Sequence, residues 1–132
     1  MTPRRARFLM LLFCTAVVGC GLGELDNYAP LTVTDNFHAI VDGVAYRSAQ
    51  LDASSLNLVF ERYGVRTVIN LRGENEDEPW YENERAAAEQ AGVKLVDTPM
   101  SANALPSRET LLLLFDTFQT AEYPILMHCQ AG

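Results

Sequence analysis

One cysteine stands where a strand gives way to a loop, and it is the residue best placed to do chemistry. Ile125-Leu126-Met127 is an apolar run, and His128-Cys129-Gln130-Ala131-Gly132 follows it directly. A loop of small residues leaving a buried parallel strand normally runs into a helix N-terminus. There, successive backbone N–H groups converge and can hold an anion. The same positive field favours the thiolate, which is the nucleophilic form of cysteine. A phosphate and an attacking sulfur would then share one electrostatic device. The plainer alternative is a lone cysteine acting as a small buried hydrophobe. The other two cysteines, Cys14 and Cys20, complete an odd set of 3 whose spacing fits no zinc pattern.

A second group of chemistry-bearing residues closes another strand. Val68, Ile69 and Leu71 mark a buried strand over 65–71, and Arg72-Gly73 ends it. Arg72 could meet a phosphate there, or form a surface salt bridge into the acidic loop of Glu74, Glu76, Asp77 and Glu78. Asp97 lies within a third predicted strand over 93–98. Trp80 and Tyr81 read as anchors of the helix that follows the acidic loop.

The elements that must position these residues alternate. Val44–Arg47 reads as a short strand. Asp52 or Ser54 can cap a helix whose stripe is Leu56, Val59, Phe60 and Tyr63, and Gly64 closes it. Pro79 opens a second helix running to Ala91, and Gly92 closes that one. Residues 99–106 form a loop. Ser107 caps a third helix with Leu111, Leu114, Phe115 and Phe118 on its inner face. His38 precedes all of this and reads as a loop residue. Short joins between strands and helices imply an α/β fold, a mainly parallel sheet flanked by helices with right-handed crossovers. Ligands bind such sheets at the carboxyl ends of the strands, where Arg72 and Cys129 both fall.

In this arrangement the sequence resembles the cysteine-dependent tyrosine and dual-specificity phosphatases of the bacterial, atypical kind. Their signature is His-Cys, two residues, Gly, two residues, Arg. Here it is represented by His128, Cys129, Gln130, Ala131 and Gly132. Tyr46-Arg47-Ser48-Ala49-Gln50 and Thr67-Val68-Ile69-Asn70-Leu71-Arg72 resemble the family upstream, in the same order and spacing. The resemblance spans residues 36–132. It implies a phosphatase-like fold that needs no metal or other cofactor. It implies Cys129 as the nucleophile of a phosphocysteine intermediate, with His128 as its supporting neighbour. The backbone N–H groups of Gln130, Ala131 and Gly132 would bind phosphate oxygens. The expected ligand is a phosphorylated protein or a small phosphorylated molecule.

Two departures temper the expected activity. The signature Arg would fall three positions past Gly132, so the domain is expected to be C-terminally incomplete. A guanidinium there holds the phosphoryl oxygens and stabilises developing charge, so a chain lacking it is expected to be inactive or weak. The family also draws a general acid from the loop that here runs Ser101 to Pro106, which holds no carboxylate. Asp97 is the nearest, although partnership with a basic neighbour suits its strand position better. Two alternatives stand beside the phosphatase: a non-catalytic phosphate-binding pseudophosphatase, and a rhodanese-like sulfurtransferase, which also places one cysteine after a strand.

The N-terminus carries a different kind of information. Arg4, Arg5 and Arg7 precede an apolar run from Phe8 to Val18, too short for the ~20 residues of a spanning helix. It fits the apolar region of a secretory signal. Val17-Val18-Gly19-Cys20 then resembles a bacterial lipobox. Residues 1–19 are therefore expected to be a signal peptide, 20–35 a tether lipidated at Cys20, and 36–132 the phosphatase domain. The product would be an exported bacterial lipoprotein, attached to a membrane on its periplasmic or cell-surface side. Without the leader, seven of the 10 basic residues face all 17 acidic ones, a net −10. A body so acidic excludes nucleic-acid binding through a general basic surface.

Overall fold

The computed structural model describes residues 31–132. The expected signal peptide, Cys14, Cys20 and most of the expected tether lie outside the described residues. A 3-10 turn at Val33–Asp35 is followed by strand β1 (His38–Val41), β2 (Ala45–Ser48), helix α1 (Ala53–Tyr63), β3 (Thr67–Asn70), α2 (Pro79–Ala91), β4 (Lys94–Asp97), α3 (Arg108–Thr120) and β5 (Ile125–His128). The five strands form one sheet in the order β1-β2-β5-β3-β4. β2, β5, β3 and β4 run parallel, so β5 lies between β2 and β3. This is the mainly parallel α/β sheet that the alternating pattern implies.

The helix boundaries follow local chemistry. Asp52 caps α1: its carboxylate accepts from the backbone N–H of Ser55 at 2.8 Å and from the Ser54 hydroxyl at 2.7 Å. Those donors, the Ser55 N–H first, hold its pKa below the ordinary carboxylate value. Ser107 caps α3 by accepting from the Thr110 N–H at 3.1 Å. Pro79 occupies the first turn of α2, and Gly64 and Gly92 close α1 and α2 in left-handed conformations.

The first strand departs from expectation. His38 is not in a loop: it begins β1, which pairs antiparallel with β2, His38 lying opposite Arg47. All four β1 residues are exposed, so the edge carries no apolar alternation to reveal it.

The core lies between the sheet and α1 with α2. Tyr46, Val68 and Leu126 point from three adjacent strands into a cluster with Leu56, Val59, Phe60, Ala87 and Ala88. At the margin Phe37 stacks on Tyr46 and Tyr63 meets it edge-on, with centroids 5.3 and 5.2 Å from its ring. Helix α3 also departs from expectation. Leu114 and Phe118 are half-buried, but Leu111 and Phe115 are exposed rather than on an inner face. Among the described residues only Thr117 of α3 is fully buried. Periodicity specified an apolar stripe on this helix, but no described element covers all of it.

Candidate phosphate-binding site

The site is built at the carboxyl end of β5. Central placement between two parallel neighbours buries Leu126 and His128, and the chain emerges at Cys129. The loop beyond it folds back toward the sulfur, where the Gly132 N–H points at Cys129 Sγ from 3.3 Å. Two groups from the β1–β2 side hold the loop. The Gln50 N–H donates to the Gln130 carbonyl at 3.3 Å, and the Asn36 carboxamide donates to the Ala131 carbonyl at 2.9 Å. Gly132 has φ +93°, and a Cβ there would lie 2.5 Å from Asn36 Nδ2, so only glycine fits.

Cys129 opens onto a cavity of about 330 Å³, walled by Leu71, Arg72, Met100, Ala102, Gln130 and Ala131. The turn after β3, the loop after β4 and the loop after β5 therefore converge on the thiol. Arg72 is directed by the turn after β3. Buried Asn70 accepts from the Arg72 N–H at 2.9 Å and donates to the Gly73 carbonyl at 2.9 Å. Gly73 adopts φ +77°, and a Cβ there would meet the Pro99 Cβ at 2.8 Å, so this glycine lets the 99–106 loop close over the turn. The Arg72 guanidinium donates to Gln50 Oε1 at 2.9 Å and lies 3.5 Å from the Trp80 ring centroid. Of the two roles open to Arg72, it takes a place on the cavity wall; no ion pair to the 74–78 loop occurs among the described residues.

Asp97 sits apart from this wall. Its carboxylate accepts from Asn70 at 2.8 Å and from the Tyr81 hydroxyl at 2.7 Å, so its partners are neutral donors rather than a basic side chain. Burial, and then the bond to Asp97, push the Tyr81 phenol well above its ordinary pKa. Tyr81 thus anchors α2 to the end of β4, and Trp80 anchors it to Arg72. Sequence reasoning missed Glu84 and the bridging role of Gln50. His128 Nε2 lies 2.7 Å from Glu84 Oε1, with both side chains at most 1% exposed. Glu84 falls on the buried stripe of α2 with Tyr81 and Ala88, and a carboxylate on an apolar stripe is the signal that could have revealed it.

A thiol at the carboxyl end of a central parallel strand, a glycine-closed loop folding toward it and an arginine on the facing wall define the class of cysteine-dependent phosphatases. A model of the family described as "DSP-PTPase phosphatase fused to NAD+ Kinase" matches residues 25–132, and the chain belongs to this phosphatase family. Among solved structures, TpbA of Pseudomonas aeruginosa is 28% identical, covers 78% of this chain and 58% of its own, and superposes with a TM-score of 0.57. A cysteine-to-serine TpbA variant in complex with phosphotyrosine is 27% identical, with coverage of 77% and 57% and a TM-score of 0.57. The core catalytic domain of the PP-IP phosphatase SIW14 from Saccharomyces cerevisiae shares the fold at 24% identity, with coverage of 80% and 60% and a TM-score of 0.61. This chain spans about six tenths of the length of these structures. No curated protein sequence matches it.

Proposed function

We propose that this domain hydrolyses phosphoric monoesters through a phosphocysteine intermediate. The observation that carries the reading is the Cys129 thiol, placed at the end of β5 and opening onto the cavity walled by Arg72 and its own loop. The Cys129 thiolate attacks phosphorus, an S–P bond forms, and the ester P–O bond breaks. The departing oxygen takes a proton, and water then cleaves the S–P bond to release phosphate. Backbone N–H groups of Gln130, Ala131 and Gly132 serve the phosphoryl oxygens, and Arg72 adds positive charge from the wall. Asp97, bound by Asn70 and Tyr81, supports the turn beside Arg72 more naturally than it donates a proton.

Phosphotyrosine is the favoured substrate class. A cysteine-to-serine variant of TpbA was solved with phosphotyrosine. Phosphoserine, phosphoinositides and inositol phosphates are the alternatives. The test is hydrolysis of p-nitrophenyl phosphate by the longest product the gene encodes. Cys129→Ser should abolish turnover and retain phosphate binding. Turnover that survives the substitution refutes the nucleophile assignment.

The domain's place in the cell is part of the same proposal. The basic start, the short apolar run and Val17-Val18-Gly19-Cys20 support an exported lipoprotein held to a membrane through acylated Cys20. Phosphorylated ligands on the periplasmic or cell-surface side are then its partners, and the acidic body disfavours nucleic acid. Metabolic labelling with a fatty acid should mark the wild type and leave Cys20→Ser unmarked. Equal labelling of the two would sink the anchor.

A further inference from the structure

The most heavily buried charged group in the site is Glu84, which the proposed reaction does not use. It lies on α2, 44 positions before His128 in sequence, yet its Oε1 stands 2.7 Å from His128 Nε2. The contact is close but poorly directed as a hydrogen bond, and neither atom has another hydrogen-bond partner. What the geometry offers is the close approach of a carboxylate to an imidazole nitrogen, an ion pair when the ring is protonated, rather than a well-aligned N–H···O bond. The other ring nitrogen of His128 faces the Cys129 carbonyl at 3.4 Å. Both nitrogens meet acceptors. A neutral imidazole has one N–H to give, whereas the doubly protonated ring has two.

The second carboxylate oxygen of Glu84 is also engaged. Gln50 Nε2 donates to Glu84 Oε2 at 3.4 Å, and the same carboxamide accepts from Arg72 at 2.9 Å. One buried carboxylate thus reaches the residue before the thiol and, through Gln50, the arginine on the cavity wall.

We propose that Glu84 is a positioning residue that holds His128 as a cation directly behind Cys129 and, through Gln50, fixes Arg72 in its place on the wall of the same cavity. The inference rests on reading Cys129 as a nucleophile. A cation one residue from the sulfur raises the thiolate fraction, and a carboxylate facing that cation is what retains it in a buried place. Glu84 touches no substrate and acts only through His128 and Gln50.

The test is the rate of Cys129 alkylation by iodoacetamide at neutral pH in the full chain. The rate is read on the Cys129 peptide by mass spectrometry, so that Cys14 and Cys20 do not contribute. The wild-type thiol should react faster than glutathione. Glu84→Gln keeps the shape and an acceptor oxygen but removes the charge, and should slow alkylation roughly tenfold. His128→Asn should slow it similarly, and adding Glu84→Gln to His128→Asn should slow it no further, because residues acting through one another are not additive. Glu84→Asp retains the carboxylate and should stay within about threefold of wild type. This second variant keeps the test decisive if Glu84→Gln folds poorly. A fast wild-type thiol that is indifferent to Glu84→Gln, additive losses in the double variant, or a tenfold loss in Glu84→Asp each overturns the positioning role alone. A wild-type thiol no faster than glutathione overturns the nucleophile reading, and this inference with it.

Discussion

The helix layers that cover the two faces of the sheet are packed to different standards. Toward α1 and α2, Tyr46, Val68 and Leu126 are at most 3% exposed and sit in one continuous cluster. On the other face the strands are as well buried, with Ile69 at 0% and Ile125 at 3%, but α3 itself leaves Leu111, Leu112, Leu113 and Phe115 42–60% exposed. Strand alternation ties the site to the first of these faces. Ser48, Asn70 and His128 lie two residues beyond Tyr46, Val68 and Leu126 on the same strands, so all six point to one side. The polar cluster beneath Cys129 therefore continues the best-packed layer of the molecule. Its members are buried against a rigid foundation, and Glu84 reaches them from a helix that belongs to that foundation. Among the described residues the opposite face contributes no polar support of this kind. What it offers is Thr67, whose hydroxyl donates to the Glu122 carbonyl just past α3.

The largest expected effect comes from opening the tight face. Leu126 is fully buried at the centre of the sheet, one residue from Met127 and two from His128. Leu126→Ala should destabilise the domain by about 2–5 kcal/mol, through lost apolar transfer and an unfilled cavity. Urea unfolding followed by circular dichroism measures it. A cost under about 1 kcal/mol would mean that the site's foundation collapses around the gap, and the contrast between the faces would fail.

The same contrast explains what could be read from residues alone. Helix α2 was legible to its end residues, because Pro79 and Gly92 punctuate it and local chemistry decides such boundaries. The position of Cys129 was legible because an apolar strand runs straight into a small-residue loop. β1 was not: His38-Ala39-Ile40-Val41 is exposed throughout, and an edge strand needs no alternation. Glu84 was hidden for the opposite reason. Tyr81-Glu82-Asn83-Glu84-Arg85 looks like a solvated helix face; Glu84 shares the stripe of Tyr81 and Ala88, but its partner is a histidine that only the fold brings to it. The α3 stripe was read correctly as apolar and incorrectly as covered, since periodicity reports which side chains share a face but not what lies opposite. Arg72 shows the same limit. Its strand-end position was visible, but Gln50 and Trp80, which hold it, come from separate segments.

The smallest expected effect sharpens the contrast from the loose side. Phe115 is 60% exposed, so about two fifths of its surface is removed from water. Full burial of a phenylalanine contributes roughly 1.5–3 kcal/mol, so Phe115→Ser should cost about 1 kcal/mol or less. Helix propensity adds little to the difference, because Phe and Ser rank together in helix interiors, within about 0.7 kcal/mol of alanine. Urea unfolding of the variant beside Leu126→Ala gives the comparison directly, with the Leu126 change costing at least twice as much. A Phe115→Ser loss in the range of a core truncation, about 3 kcal/mol or more, would show that the apolar side of α3 is covered in solution. The two helix layers would then be equally covered, and the contrast between α3 and the α1–α2 layer would fail.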